Sequence, residues 1–221
     1  MVVNTTPDPV QAIQENSGRT RRGRIWFFLV WLICAAPVVG SYLTFYVIKP
    51  SSTSSFGELI TPTSTIPAIS AIGLDGHQTK LDALKGQWLL ISVAGGACDK
   101  TCEEHLYLQR QLRELLGREK ERLDWVWLIN DDQAVSPGIL PALQTAQVLR
   151  IADDSLKAWL SPGKGHQLTD HLYVVDPMGR WMMRFPADLS VVNAAKAKKD
   201  LSKLLTASAS WDKPGRSAAG N

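Results

Sequence analysis

Cysteine is scarce in this chain, with only three, at positions 34, 98 and 102. An odd count means that at most one intramolecular pair forms and one cysteine is left over. A charge excess is also missing. Twenty-four Lys and Arg against 21 Asp and Glu leave +3, too small a balance to suggest a nucleic-acid partner. No nucleotide-binding glycine loop, hydrolase elbow or pair of carboxylates at catalytic spacing occurs, which removes the usual signatures of phosphate binding and of serine or two-carboxylate hydrolysis. Gly95-Gly96 reads as backbone room at a strand-to-helix turn rather than as a phosphate cradle. Charge is absent altogether from residues 25–48.

That uncharged stretch is the first positive feature. As a helix its 24 residues would be about 36 Å long, enough to cross roughly 30 Å of hydrocarbon with some tilt. Trp26, Trp31, Tyr42 and Tyr46 lie toward its ends, as interfacial aromatics do. It is too long for a signal-peptide core, and no small-x-small cleavage site follows it closely, so an uncleaved anchor is expected. Arg19, Arg21, Arg22 and Arg24 precede it and only Lys49 follows. The positive-inside rule therefore puts the N-terminus in the cytoplasm and the rest of the chain on the far side, which in a bacterial inner membrane is the periplasm. Cys34 is a small apolar residue inside this span.

The organisation expected is a cytoplasmic tail over 1–24, a transmembrane helix over 25–48, a Ser/Thr/Pro linker over 49–65, a folded domain over 66–205 and a polar tail over 206–221. Within the domain, Asp75-Gly76 signals a hairpin turn. Leu81–Leu84 reads as one helical turn closed by Gly86, and Trp88–Val93 as a central strand apolar on both faces. A helix from Glu103 to Leu116 follows, then a second buried strand over Leu123–Ile129 and a loop over 131–141. Residues 142–149 and 153–160 read as helices. His171–Val175 is a third strand, joined through Asp176-Pro177-Met178-Gly179 to a hairpin partner over Arg180–Phe185. Val191–Leu205 is a lysine-bearing amphipathic helix. Strand, helix, strand, helix, hairpin and helix make an α/β fold, a thioredoxin-like central sheet flanked by helices.

Chemistry concentrates at Ala94-Gly95-Gly96-Ala97-Cys98-Asp99-Lys100-Thr101-Cys102, between the first central strand and its helix. Residues i and i+4 share a helical face, with Cα atoms about 6 Å apart, near the upper end of disulfide geometry. Such a pair can close a bridge or, when reduced, present two sulfurs to one metal ion. The helix N-terminus and Lys100 favour thiolate, whereas Asp99, Glu103 and Glu104 oppose it. Outside the cytosol a plain structural disulfide is the simplest alternative. A bridge across so short a loop removes little chain entropy, however, and stabilisation is a poor reason for it. His105 lies on the same helical face, three residues after Cys102. Two thiolates and an imidazole would suit Cu(I) or zinc, and a solvated surface histidine is the plainer reading. Met178, Met182 and Met183 read as hairpin or core packing.

The Cys-x-x-x-Cys pair after an apolar strand, the second strand ending in acid and the run Leu-Tyr-Val-Val-Asp-Pro-Met-Gly over 172–179 resemble the Sco/SenC family. Those proteins are membrane-anchored, thioredoxin-fold copper chaperones and thiol reductases that help to assemble cytochrome c oxidase. The resemblance covers about residues 66 to 205. It implies redox-active Cys98 and Cys102, the same two as copper ligands, and a cytochrome oxidase subunit or another thiol or copper protein as partner. The family's third metal ligand, a histidine five residues before the tyrosine, falls here on Leu168. His166 and His171 flank that position, and with His105 they are the candidate third ligands. The family places proline after each cysteine, where this chain has Asp99 and Glu103. Thioredoxins place a cis-proline before the late strand, and this chain has none there.

Two functions from different classes follow. One is an anchored thiol-disulfide oxidoreductase or copper-delivery protein for a respiratory oxidase. The other is a non-catalytic periplasmic interaction domain whose cysteines form a static bridge. A peroxidase would need an arginine beside a reactive thiolate. Arg150 and Arg180 are available, but no peroxidase motif surrounds Cys98.

Overall fold

The structure, a computed structural model, describes residues 9–43, 46, 55–213 and 215. It divides into two compact units, Met1–Ser54 and Ser55–Asn221. In the first, helix α1 spans Pro9–Leu43, with Pro37 inside it. It thus begins well within the stretch expected to be a tail. The part from Arg21 to Leu43, 23 residues, is long and apolar enough to cross a membrane. The expected span over 25–48 overlaps it, and residues 44, 45, 47 and 48 lie outside the described ones.

The second unit is built from β1 (Glu58–Thr65), β2 (Ser70–Gly73), β3 (Gln78–Lys80), β4 (Trp88–Ala94), α2 (Lys100–Leu115), β5 (Leu123–Ile129), β6 (Gln147–Arg150), α3 (Asp153–Trp159), β7 (Leu172–Val175), β8 (Arg180–Arg184) and α4 (Ala194–Ser208). One sheet runs in the order β1-β8-β7-β4-β5-β6-β2-β3. The pairs β4–β5 and β5–β6 are parallel. β7 lies antiparallel to β4 on its other side. Every residue of β4 is buried, as its unbroken apolar run implies. Its side chains alternate between two layers: Leu89, Ile91 and Val93 pack with Leu156 and Trp159 of α3, whereas Trp88 and Leu90 pack with α2 and α4 through Leu108, Leu112 and Leu201. Ser92 points to the α2 side, where its hydroxyl donates to Oε1 of the fully buried Gln109 at 3.0 Å. The Gln109 amide donates in turn to the carbonyls of Leu90 and Val126, at 2.7 and 3.0 Å. This polar tie fixes α2 over the two strands that aim it.

Three expectations are corrected. The linker expected through residue 65 is β1 from Glu58 onward, paired antiparallel with β8 at the sheet edge. This edge strand is exposed along its length except at half-buried Ile60 and Ser64, so it tolerates Pro62 and a polar composition and carries no buried alternation to read. The chain enters the unit under control of α4, where buried Asp200 accepts the backbone N–H groups of Phe56 and Gly57 at 2.5 and 3.0 Å. The helix expected over 142–149 is instead a 3-10 turn at Leu140–Leu143 followed by β6. Four residues are too few for periodicity to separate strand from helix. The tail expected from residue 206 is not free either. α4 continues to Ser208, and Ser208 and Asp212 are buried. Asp212 Oδ2 receives Nε and Nη2 of buried Arg122 at 3.0 and 2.7 Å. The Ser208 hydroxyl takes the indole N–H of Trp88 at 3.1 Å.

Candidate functional site

The C-terminal ends of parallel strands β4 and β5 meet the N-terminus of α2, the place where open α/β sheets carry their sites. Cys98 and Cys102 are joined there as a disulfide, with Cα atoms 5.1 Å apart. That is closer than two residues one helical turn apart, because Cys98 precedes the helix. Its φ is +50°, and it is the one non-glycine residue in the left-handed region among those described. The conformation costs an L-residue about 1–2 kcal/mol. A turn from Gly95 supports it, with the Cys98 N–H donating to the Gly95 carbonyl at 3.1 Å. Asp99 is the N-cap of α2, its carboxylate accepting the Cys102 N–H at 2.9 Å. Acid therefore stands where the resembling family has proline because it closes the first turn of the helix.

The two cysteines are 8% and 3% exposed. They are reached through a cleft of about 450 Å³ whose walls include Asp99, Asp131, Gln133, Gln167, Thr169 and Asp170. Beneath them lie Leu106, Trp125 and Trp127. Asp131, expected in the loop after the second strand, lines this cleft. Its Oδ1 accepts the N–H groups of Gly96 and Gln133, at 2.8 and 3.1 Å. Gly95 and Gly96 are required at this approach. A Cβ on Gly95 would run into the Asp131 carboxylate, and one on Gly96 into the Gln133 carbonyl. The opposite wall is a 3-10 turn over Leu168–Asp170, capped reciprocally by Gln167 and Asp170 and held by the Tyr173 hydroxyl donating to the Leu168 carbonyl at 3.0 Å. The Gln167 N–H, with His166 beside it, holds the Asp170 carboxyl below the usual carboxylate range. Placement after β5 was the available signal for Asp131. Gln133, Gln167 and Asp170 had no motif to mark them.

The histidines do not assemble with the sulfurs. His171, expected as a strand residue available to a metal, is 3% exposed and has both ring nitrogens engaged. The Gly163 N–H donates to Nε2 at 3.0 Å, so Nδ1 carries the proton that goes to the Phe185 carbonyl, 2.9 Å away. No lone pair is left for an ion. His166 is about half exposed, 3.4 Å from Asp170, and lines a neighbouring cavity rather than the cleft over the disulfide. His105, expected at the surface, is 4% exposed on the packed face of α2. Leu168, at the position of the implied third ligand, has no donor atom. Among the described residues no group of three or more His, Cys, Asp or Glu side chains could hold a metal ion. The three-donor copper centre implied by the resemblance does not fit this arrangement.

Burial holds His105 and His171 below the ordinary imidazole range. For His105 this outweighs the opposing fields of Asp170, Glu104 and Asp99. For His171 it outweighs the Phe185 hydrogen bond and is reinforced by Arg184 and His166. An unfolded histidine titrates near pH 6.5, so below that pH the unfolded chain binds protons that the folded one refuses. Stability is therefore expected to fall as pH drops from 7.5 to 5.5, before any depressed carboxylate titrates. Urea midpoints at the two pH values check this, and His171→Gln should flatten the dependence.

A sheet with a bridged cysteine pair at the head of its central helix defines a thioredoxin-like protein. The chain belongs to the family described as transmembrane-like, thioredoxin-like, C-terminal domain, whose model matches residues 88–208. No curated protein matches the sequence. Among solved structures, apo Sco1 of Thermus thermophilus is similar at 16% identity and a TM-score of 0.51, over 71% of this chain and 98% of that one. A putative protein disulfide isomerase of Bacteroides thetaiotaomicron is similar at 13% and 0.51, over 71% and 97%. At such identities the likeness is one of fold.

Proposed function

We propose that this chain is a membrane-anchored thiol-disulfide exchange protein whose reactive bond is Cys98–Cys102. The observation that carries the reading is a disulfide across a sequence separation of 4, set at a helix N-terminus and opening on a cleft. A loop that short gains little stability from closure, so a bridge placed there serves its own reactivity. Cys98 is the less buried residue of the pair and stands outside the helix, so it is the one a partner reaches. A partner thiolate attacks Cys98 Sγ, the Sγ–Sγ bond breaks, and Cys102 leaves as a thiolate that takes up a proton. A second partner thiolate then attacks the mixed disulfide and releases Cys98. Two partner thiols are oxidised to a disulfide, and Cys98 and Cys102 are reduced to thiols. Run backward, the same steps reduce a partner disulfide.

In this reading residues 1–24 are cytoplasmic, 25–48 are the span and the cysteine-bearing domain works in the periplasm. The partner is a thiol-bearing protein at that membrane, and the Sco/SenC resemblance suggests a cytochrome oxidase subunit. The test is turnover. Full-length chain in detergent micelles, carrying Cys34→Ser, should accelerate exchange between glutathione and a disulfide-bonded peptide. Rates at the uncatalysed background would leave the static-bridge interaction domain as the surviving function.

A further inference from the structure

Three segments distant in sequence converge on the left-handed turn that carries Cys98. Arg150, the last residue of β6, donates from Nη1 to the Asp131 carbonyl and from Nη2 to the Gln133 carbonyl at 2.9 Å. Its Nη1 also lies 3.7 Å from Asp131 Oδ1. The gripped loop presents that oxygen to the Gly96 N–H, two residues before Cys98. The chain of contacts thus runs from β6 through the loop after β5 to the turn after β4. We propose that Asp131, backed by Arg150, is a positioning residue that holds the Gly95–Cys98 turn in the geometry of the closed bridge and thereby sets the redox balance of the cysteine pair. This rests on the exchange reading of the site and deepens it.

The sign follows from what each redox state needs. In the oxidised chain the Sγ–Sγ bond imposes the left-handed Cys98 whether or not the latch is present. In the reduced chain that bond is gone, and the residue keeps its disfavoured conformation only through the Gly95 turn that the latch anchors. Without the latch the reduced chain relaxes and recovers the cost, whereas the oxidised chain cannot. Loss of the latch therefore favours the dithiol and makes the pair a stronger oxidant.

The experiment equilibrates full-length Cys34→Ser chain in micelles with mixtures of reduced and oxidised dithiothreitol. The reagent's two thiols become its ring disulfide as Cys98–Cys102 opens to two thiols, and alkylation followed by mass measurement counts the open form. Asp131→Ala should shift the equilibrium about tenfold toward the open form, which is about 30 mV for a two-electron couple. Asp131→Asn, which keeps the accepting oxygen, should stay within about twofold of the parent. Should Asp131→Ala lose its fold, Arg150→Met, at a partly exposed position, reads the same shift at about threefold. An unchanged equilibrium in Asp131→Ala, or in Arg150→Met where that arm is used, overturns the latch and leaves the exchange reading standing. An equal shift in Asp131→Asn does the same, since charge and not the hydrogen bond would then be at work. A parent chain that the reagent does not open overturns both.

Discussion

In a Cys34→Ser background, Cys102→Ser chain, reduced and mixed with glutathione disulfide, is expected to accumulate a mixed disulfide at Cys98, whereas Cys98→Ser should form little at Cys102. The asymmetry follows from position. Cys98 sits ahead of α2 with its sulfur at the cleft, while Cys102 lies inside the first turn, 3% exposed. With Cys102 absent, nothing nearby can attack Cys98 Sγ to release the partner, and the adduct persists. With Cys98 absent, an incoming disulfide must reach the deeper sulfur. The two positions differ in access, and access decides. Intact-mass measurement after acid quench separates the adducts. The expected difference in adduct yield is at least about tenfold, corresponding to roughly 1.4 kcal/mol of added access barrier. Equal labelling of the two variants would mean that the cleft does not discriminate the sulfurs.

The second large effect lies far from the sulfurs. Asp212→Ala is expected to destabilise the cysteine-bearing unit by about 3 kcal/mol, since it leaves a buried guanidinium without its carboxylate. The side chains of Arg122 and Asp212 are only 6% and 2% exposed, so water cannot replace the lost partner. The half-exposed Glu119, which also holds Arg122, keeps the loss at the lower end of the range for broken buried pairs. Replacing both members, as Arg122→Met with Asp212→Leu, should recover most of the stability, because no charge is then stranded. Urea unfolding of the full-length chain measures both. Ending the chain at residue 205 should be worse still, since it also removes the Ser208 hydroxyl that receives the Trp88 indole.

What the sequence made legible tracks how strongly each residue's role is written in local pattern. The unbroken apolar runs of β4 and β5 announced strands covered on both faces, and Cys98 with Cys102 announced the site, since few residue types allow a covalent bond at that spacing. The strand at residues 58–65 escaped because it is exposed at all but Ile60 and Ser64, which leaves no two-residue alternation to read. Ser208 and Asp212 escaped because their partners, Trp88 and Arg122, are about 90 to 120 residues away in sequence and polar residues near a C-terminus read as tail. Asp131 was visible as an acid after a strand, but its hydrogen bond to Gly96 exists only once β4 and β5 lie side by side. The histidines misled for a related reason. Spacing put His105 on the cysteine face of α2 and His171 beside the implied ligand position. It could not foresee that packing would bury the first, or that Gly163 and Phe185 would occupy both nitrogens of the second.

The reduction potential of Cys98–Cys102 in the folded full-length chain tests the central claim most directly. A bond built for exchange should titrate within the span of known exchangers, about −270 to −120 mV. A potential below about −300 mV, where structural disulfides lie, would mark the bridge as a static brace and contradict the account.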